Sequence, residues 1–136
     1  MSYLLDTNAV VALLRDKPAG VRRRFRVAQE AGDYLTLSSV VLFELWYGVA
    51  KSSAIPENTE RLRILLSGDL DLLEFDDEDA RTAGQIRATL ERIDRPIGAY
   101  DVLIAGQALR RGLTVVTANT AEFSRVDGLA WEDWSA

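Results

Sequence analysis

Apolar positions in this chain fall into two kinds of stretch, short runs without turn residues and longer ones with apolar side chains every three or four positions. The first kind suits a strand buried on both faces, the second an amphipathic helix. Tyr3-Leu4-Leu5 opens the series as a strand, and residues 9–14 carry helical spacing. Asp6 therefore stands where strand becomes helix, with Thr7 and Asn8 as capping residues or with its own carboxylate as the cap. Residues 16–20 form a stop, residues 21–31 read as a second helix, and residues 34–37 as a second strand. Ser38-Ser39 opens a helix over residues 40–50, residues 51–58 read as a loop around Pro56, and residues 57–67 as an amphipathic helix. A third strand over residues 70–75 precedes a helix over 77–93 and a break at 95–98. A helix over 99–111 follows, with Val102, Ala105, Gly106 and Leu109 at core spacing, and Gly112 ends it. Residues 113–117 make a fourth buried strand, and residues 129–134 add a short edge strand.

Strands alternating with helices argue one α/β domain over residues 1–136 with a mostly parallel sheet. In such sheets ligands bind beyond the carboxyl ends of the strands. At 136 residues and 48% hydrophobic content the chain is one domain with ample material for a core.

Composition then narrows the chemistry. Cysteine and histidine are both absent, which removes disulfides, thiolate catalysis, serine–histidine relays and the usual zinc sites. A bound metal would have oxygen ligands alone, favouring Mg²⁺ or Mn²⁺. The net charge of -5 argues against global attraction to nucleic acid. Any basic surface must be local, or come from another chain. Arg22, Arg23, Arg24 and Arg26 on the second helix are either such a patch or a solvated face. No basic leader and no apolar run long enough to span a membrane is seen, so the expected location is cytoplasmic.

Three acids stand in unusual places. Asp6 follows a strand, Glu44 is the only charged side chain between Asp33 and Lys51, and Asp101 opens a helix. Val40, Val41 and Gly48 surround Glu44 one turn away, so it belongs either to a buried ion pair with an arginine or to a site. Asp101 is otherwise a first-turn acid favoured by the helix dipole, and Asp76-Asp77-Glu78-Asp79 reads mainly as a helix opening of that kind. Asn119 and Glu122 follow the fourth strand and can join the sheet edge that holds Asp6. Carboxylates about 5 Å apart repel by about 3 kcal/mol at an effective dielectric of 20, a penalty that a divalent cation removes.

Asp6-Thr7-Asn8, Glu44 within Phe43-Glu44-Leu45-Trp46-Tyr47-Gly48, Asp101 within Ile97-Gly98-Ala99-Tyr100-Asp101, and the segment from Thr117 through Asn119 to Glu122 together resemble the acidic signature of the PIN-domain nucleases. The match spans nearly the whole chain and resembles the VapC branch of toxin–antitoxin pairs. The resemblance implies a three-layer α/β/α domain with strand order 3-2-1-4-5 and a Mg²⁺- or Mn²⁺-dependent endoribonuclease acting on RNA. It implies a homodimer inhibited by a VapB-type antitoxin. Carried over by motif, Asp6, Asp101 and Glu44 would be metal ligands, and Asp6, Glu44, Asp101 and Glu122 the catalytic acids. Thr7, Ser39, Thr117 and Asn119 would support them, with either Asn119 or Glu122 filling the fourth position. Two other readings stand beside this one: a phosphatase or phosphotransferase with Asp6 as nucleophile, and a non-catalytic RNA-binding or assembly module whose acids are structural caps.

Overall fold

The computed structural model describes residues 1–136. Its spine is β1 (Ser2–Leu5), whose Leu4 and Leu5 are completely buried. On one side β1 pairs with β2 (Tyr34–Ser38), which pairs with β3 (Leu70–Leu73). On the other side it pairs with β4 (Thr114–Val116), which pairs with β5 (Trp131–Glu132). Every pairing is parallel and the sheet order is β3-β2-β1-β4-β5, as the resemblance implies. Parallel neighbours require crossovers. These are α1 (Thr7–Arg15) and α2 (Ala19–Glu30), then α3 (Ser39–Ala50) and α4 (Ile55–Leu66), then α5 (Asp77–Arg92) and α6 (Ala99–Arg111), and last α7 (Thr120–Phe123). The chain winds outward from β1 to β3, then returns to place β4 on β1's other side. The reversal point between β1 and β4 is the crevice in which open α/β sheets hold ligands.

Two features differ from the sequence pattern. Helix α4 begins at Ile55, inside the stretch that reads as a loop, because Pro56 sits in the first turn where its missing N–H costs nothing. Helix α7 is a single turn, too short for any periodicity to reveal.

Helices α5 and α6 pack closely because Gly106 lies against Ala83: a Cβ at residue 106 would come within 2.7 Å of the Ala83 Cα. At the N-terminal end of α5, Asp76 and Asp79 form a reciprocal capping box. The buried Asp79 carboxylate also takes Arg110 Nε at 2.7 Å and Arg111 at 2.9 Å. Burial works against its charge, but Arg111, the Asp76 N–H and Arg110 outweigh it and hold the Asp79 carboxyl below its ordinary value. The acidic run at residues 76–79 is thus a helix cap and ion-pair anchor.

The arginines of α2 are largely committed to the chain itself. Arg22 donates to Leu13 O at 2.6 Å, Arg23 to the Ala136 backbone, and Arg24 to Glu132 at 3.1 Å while lying over the Trp134 ring. Arg23 and Arg24 clamp a C-terminal tail that crosses Gly20, where a Cβ would collide with the Trp134 carbonyl at 2.8 Å. Trp134 itself is buried edge-on against Tyr3 at 5.0 Å. Of the cluster read from the sequence as a patch or a solvated face, only Arg26 is exposed without a partner.

Candidate active site

Asp6 leaves β1 and caps α1, its Oδ1 accepting the Ala9 N–H at 2.9 Å. The carboxylate, not Thr7 or Asn8, is the cap, so its structural and site roles coincide. It is 4% exposed. Burial raises its pKa, the Glu44 and Asp133 charges push the same way, and hydrogen bonds with Thr117 and Ala9 oppose them. Asp133, from the tail beyond β5, carried no signal in the sequence beyond its charge.

Glu44 on α3 is half-buried, not enclosed in an apolar wall, and it has no arginine partner. Its Oε1 accepts the Thr7 hydroxyl at 2.6 Å, so the residue next to Asp6 orients the acid of another helix. Ser39 does not join this network. Its hydroxyl accepts from Phe75 N at 3.0 Å and ties the end of β3 to α3, while Ser38 caps that helix through Val40 N.

Asp101, in the first turn of α6, accepts Asn119 Nδ2 at 3.0 Å. Thr117, at the end of β4, accepts Asn119 N at 2.9 Å and so fixes the turn that presents the amide. Glu122 accepts the Gly98 N–H at 2.7 Å, just ahead of Asp101. Burial pushes the Asp101 carboxyl up to about 6, helped by Glu122 and Asp6 and resisted by Asn119. The Gly98 N–H keeps the Glu122 carboxyl below its ordinary value, and the neighbouring Asp101 acts in the same direction. Asn119 and Glu122 both lie beside Asp101, one donating to it and the other bonded to the Gly98 N–H just ahead of it.

The fold thus brings Asp6, Glu44, Asp101, Glu122, Thr7, Thr117 and Asn119 to the carboxyl edge of the sheet and leaves Ser39 outside the hydrogen bonds made there. All its acidic donors are hard oxygens, and their mutual repulsion is what a cation would relieve. No three of the acids stand close enough together to form a ready-made ligand cage.

The PIN domain pattern matches residues 3–129. The chain is 44% identical to the tRNA(fMet)-specific endonuclease VapC of Shigella flexneri, over 99% of both chains. It superposes on the VapBC2 structure from Rickettsia felis, solved on a promoter DNA fragment, with a TM-score of 0.91 and 34% identity, covering 98% of this chain and 99% of that one. The DNA-bound VapBC structure from Salmonella typhimurium aligns with a TM-score of 0.89 and 40% identity, over 98% of each chain. With the pattern and the relatives extending over nearly the full length, this chain belongs to the PIN-domain family, in its VapC branch.

Proposed function

We propose that the protein is a Mg²⁺- or Mn²⁺-dependent endoribonuclease, the toxin of a pair held in check by a VapB-type antitoxin, acting as a cytoplasmic homodimer. The observation that carries this reading is the gathering of Asp6, Glu44, Asp101 and Glu122 at the carboxyl edge of the sheet, each held by a hydrogen bond from Ala9 N–H, Thr7, Asn119 or Gly98 N–H. VapC relatives named as ribonucleases, and VapBC complexes of the same fold, support it. The 44% and 40% identical relatives are both named as tRNA(fMet)-specific, which makes tRNA the first substrate class to test.

Asp6, Asp101 and Glu44 would hold the cation, which supplies charge neutralisation at the phosphodiester and a more acidic attacking water. The chain's own part is to fix the acids before substrate arrives. Ala9 N–H and Thr117 hold Asp6, the Thr7 hydroxyl holds Glu44, Asn119 Nδ2 holds Asp101, and Gly98 N–H holds Glu122. Preorganised charge of this kind need not reorganise during reaction. Asp6 is engaged on two sides rather than presented as a free nucleophile, which favours the metal-ligand role over phosphoryl transfer through that carboxylate.

The test is cleavage of purified tRNA and total RNA by wild type and Asp6→Asn, each with Mg²⁺, Mn²⁺ or EDTA. Discrete fragments that disappear with EDTA and with Asp6→Asn are expected. Equal cutting by both proteins would assign the activity to a contaminant and refute the reading.

A further inference from the structure

A groove of about 250 Å³ runs between α1, α3 and α4, with Thr7 and Glu44 in its lining. Its floor is apolar, built from Val11, Leu14, Leu45 and Val49. Arg15, Lys51 and Arg61 line it as well, and all three are exposed. None of them has an anionic partner, whereas Arg22, Arg24, Arg87, Arg110 and Arg111 all do. Lys51 lies instead over the Tyr47 ring at 4.8 Å. Glu44 is the only acid among the groove's lining residues. Arg15 also borders a second groove, on the other side of α1, where Lys17 and Thr117 lie. Unpaired cations therefore flank the acidic crevice on a molecule whose net charge is -5.

We infer that the α1–α3–α4 groove is the track for the RNA backbone, with Arg15, Lys51 and Arg61 each taking a phosphate of the strand that runs past Glu44. This deepens the ribonuclease reading and rests on it. A polyanion brought against four carboxylates needs local compensation, and on α2 Arg22, Arg23 and Arg24 are already engaged within the chain, which leaves only Arg26 free there. Arg15 and Arg61 offer forked donors that match phosphate oxygens, and the apolar floor suits the sugars between phosphates. Charge complementarity and continuity with Glu44 commit the groove to RNA over a protein segment.

The experiment measures binding of a fluorescently labelled single-stranded RNA oligonucleotide of mixed sequence in EDTA, which suspends cleavage, from 50 to 300 mM salt. Wild type is compared with Arg15→Gln/Lys51→Gln/Arg61→Gln, with the double Lys51→Gln/Arg61→Gln, and with Arg81→Gln/Arg92→Gln on α5 as a charge control. Each lost phosphate contact flattens the plot of log affinity against log salt by about 0.7, so the triple variant should lose about 2 in slope and about 100-fold in affinity near 0.1 M salt. The double variant should lose about two-thirds of that slope, and Arg15→Lys/Arg61→Lys should keep it. The α5 control should match wild type. If the triple variant does not fold, the double decides. An RNA slope unchanged in the groove variants overturns the inference and leaves the ribonuclease reading standing. So does selective loss of binding to a co-expressed antitoxin, which would make the groove a protein site. Wild type that neither binds nor cuts RNA would instead remove the reading on which the inference rests.

Discussion

Neutralising Asp101 should make the metal-free protein more stable while removing its response to metal. Its carboxyl titrates at about 6 against an ordinary 3.8, because burial, Glu122 and Asp6 all oppose the charge. At about 1.36 kcal/mol per tenfold, that difference amounts to about 3 kcal/mol against the ionised form. Asp101 is only half-buried, and solvent screening reduces the figure to about 1–2 kcal/mol. The sign follows from proton binding. The folded state holds this proton more tightly than the unfolded one, so the contribution is fully present below the ordinary value and is lost as pH rises through about 6. Asp101→Asn should therefore melt about 3–6 °C higher than wild type in EDTA at pH 8, given the size of the domain. Its stability should also fall less steeply between pH 4 and 8. Added Mg²⁺ or Mn²⁺ should reverse the order, because an ion bound only by the folded state stabilises wild type and finds one ligand fewer in the variant. Thermal melts at several pH values, with EDTA and with metal, read all of this. A variant that melts lower than wild type in EDTA, alongside a wild type whose stability is flat across that pH range, would refute the argument that these acids repel.

Three further outcomes test the scaffold and the support of the site. Asp79→Ala should cost about 1–3 kcal/mol by denaturant midpoint, since it removes half of the capping box and leaves Arg110 and Arg111 with Asp76 alone. The wild-type contribution of that group is present above the ordinary aspartate value and is lost as pH falls through the lowered folded one. A cost below about 1 kcal/mol would mean that the network is ornamental. Gly106→Ala should lose about 1–3 kcal/mol by overpacking Ala83, whereas Gly84→Ala, with nothing within 4 Å of its new methyl, should gain about 0.5–1 kcal/mol. Equal effects in thermal melts would contradict the helix crossing described. Thr7→Val should weaken metal binding by about 10–100-fold with little change in melting temperature, and Thr7→Ser should restore it, as befits a hydroxyl that orients Glu44; calorimetric titration with Mn²⁺ would show both.

How much of this was legible in the chain depended on the range of the interactions concerned. Buried strands and amphipathic helices announce themselves through local periodicity, so the strands, the longer helices and the parallel order could be read from spacing and motif. Asp6, Asp101 and the stretch from Thr117 to Glu122 were legible because a strand end or a helix start places a side chain at the sheet edge whatever packs elsewhere. Glu44 was found by an argument that needed correcting. It was singled out as a charge in an apolar helix, yet it is half-buried, and its partner is the hydroxyl of Thr7.

What stayed hidden was the spending of charge between distant segments. Four arginines on one helix look like a surface for an anion, but whether they are free is decided by the tail more than a hundred residues later, where Glu132 and the Ala136 carbonyl take up Arg24 and Arg23. Lys51 and the scattered Arg15 and Arg61 look unremarkable in the sequence, and only the packing of α1, α3 and α4 gathers them beside Glu44 without acidic partners. Net charge could not separate these cases, since pairing within the fold decides which cations remain to meet a polyanion. A protein with excess acid can thus leave Arg15, Lys51 and Arg61 unpaired beside its acidic crevice while acids elsewhere take up other cations, as Asp76 and Asp79 do with Arg110 and Arg111.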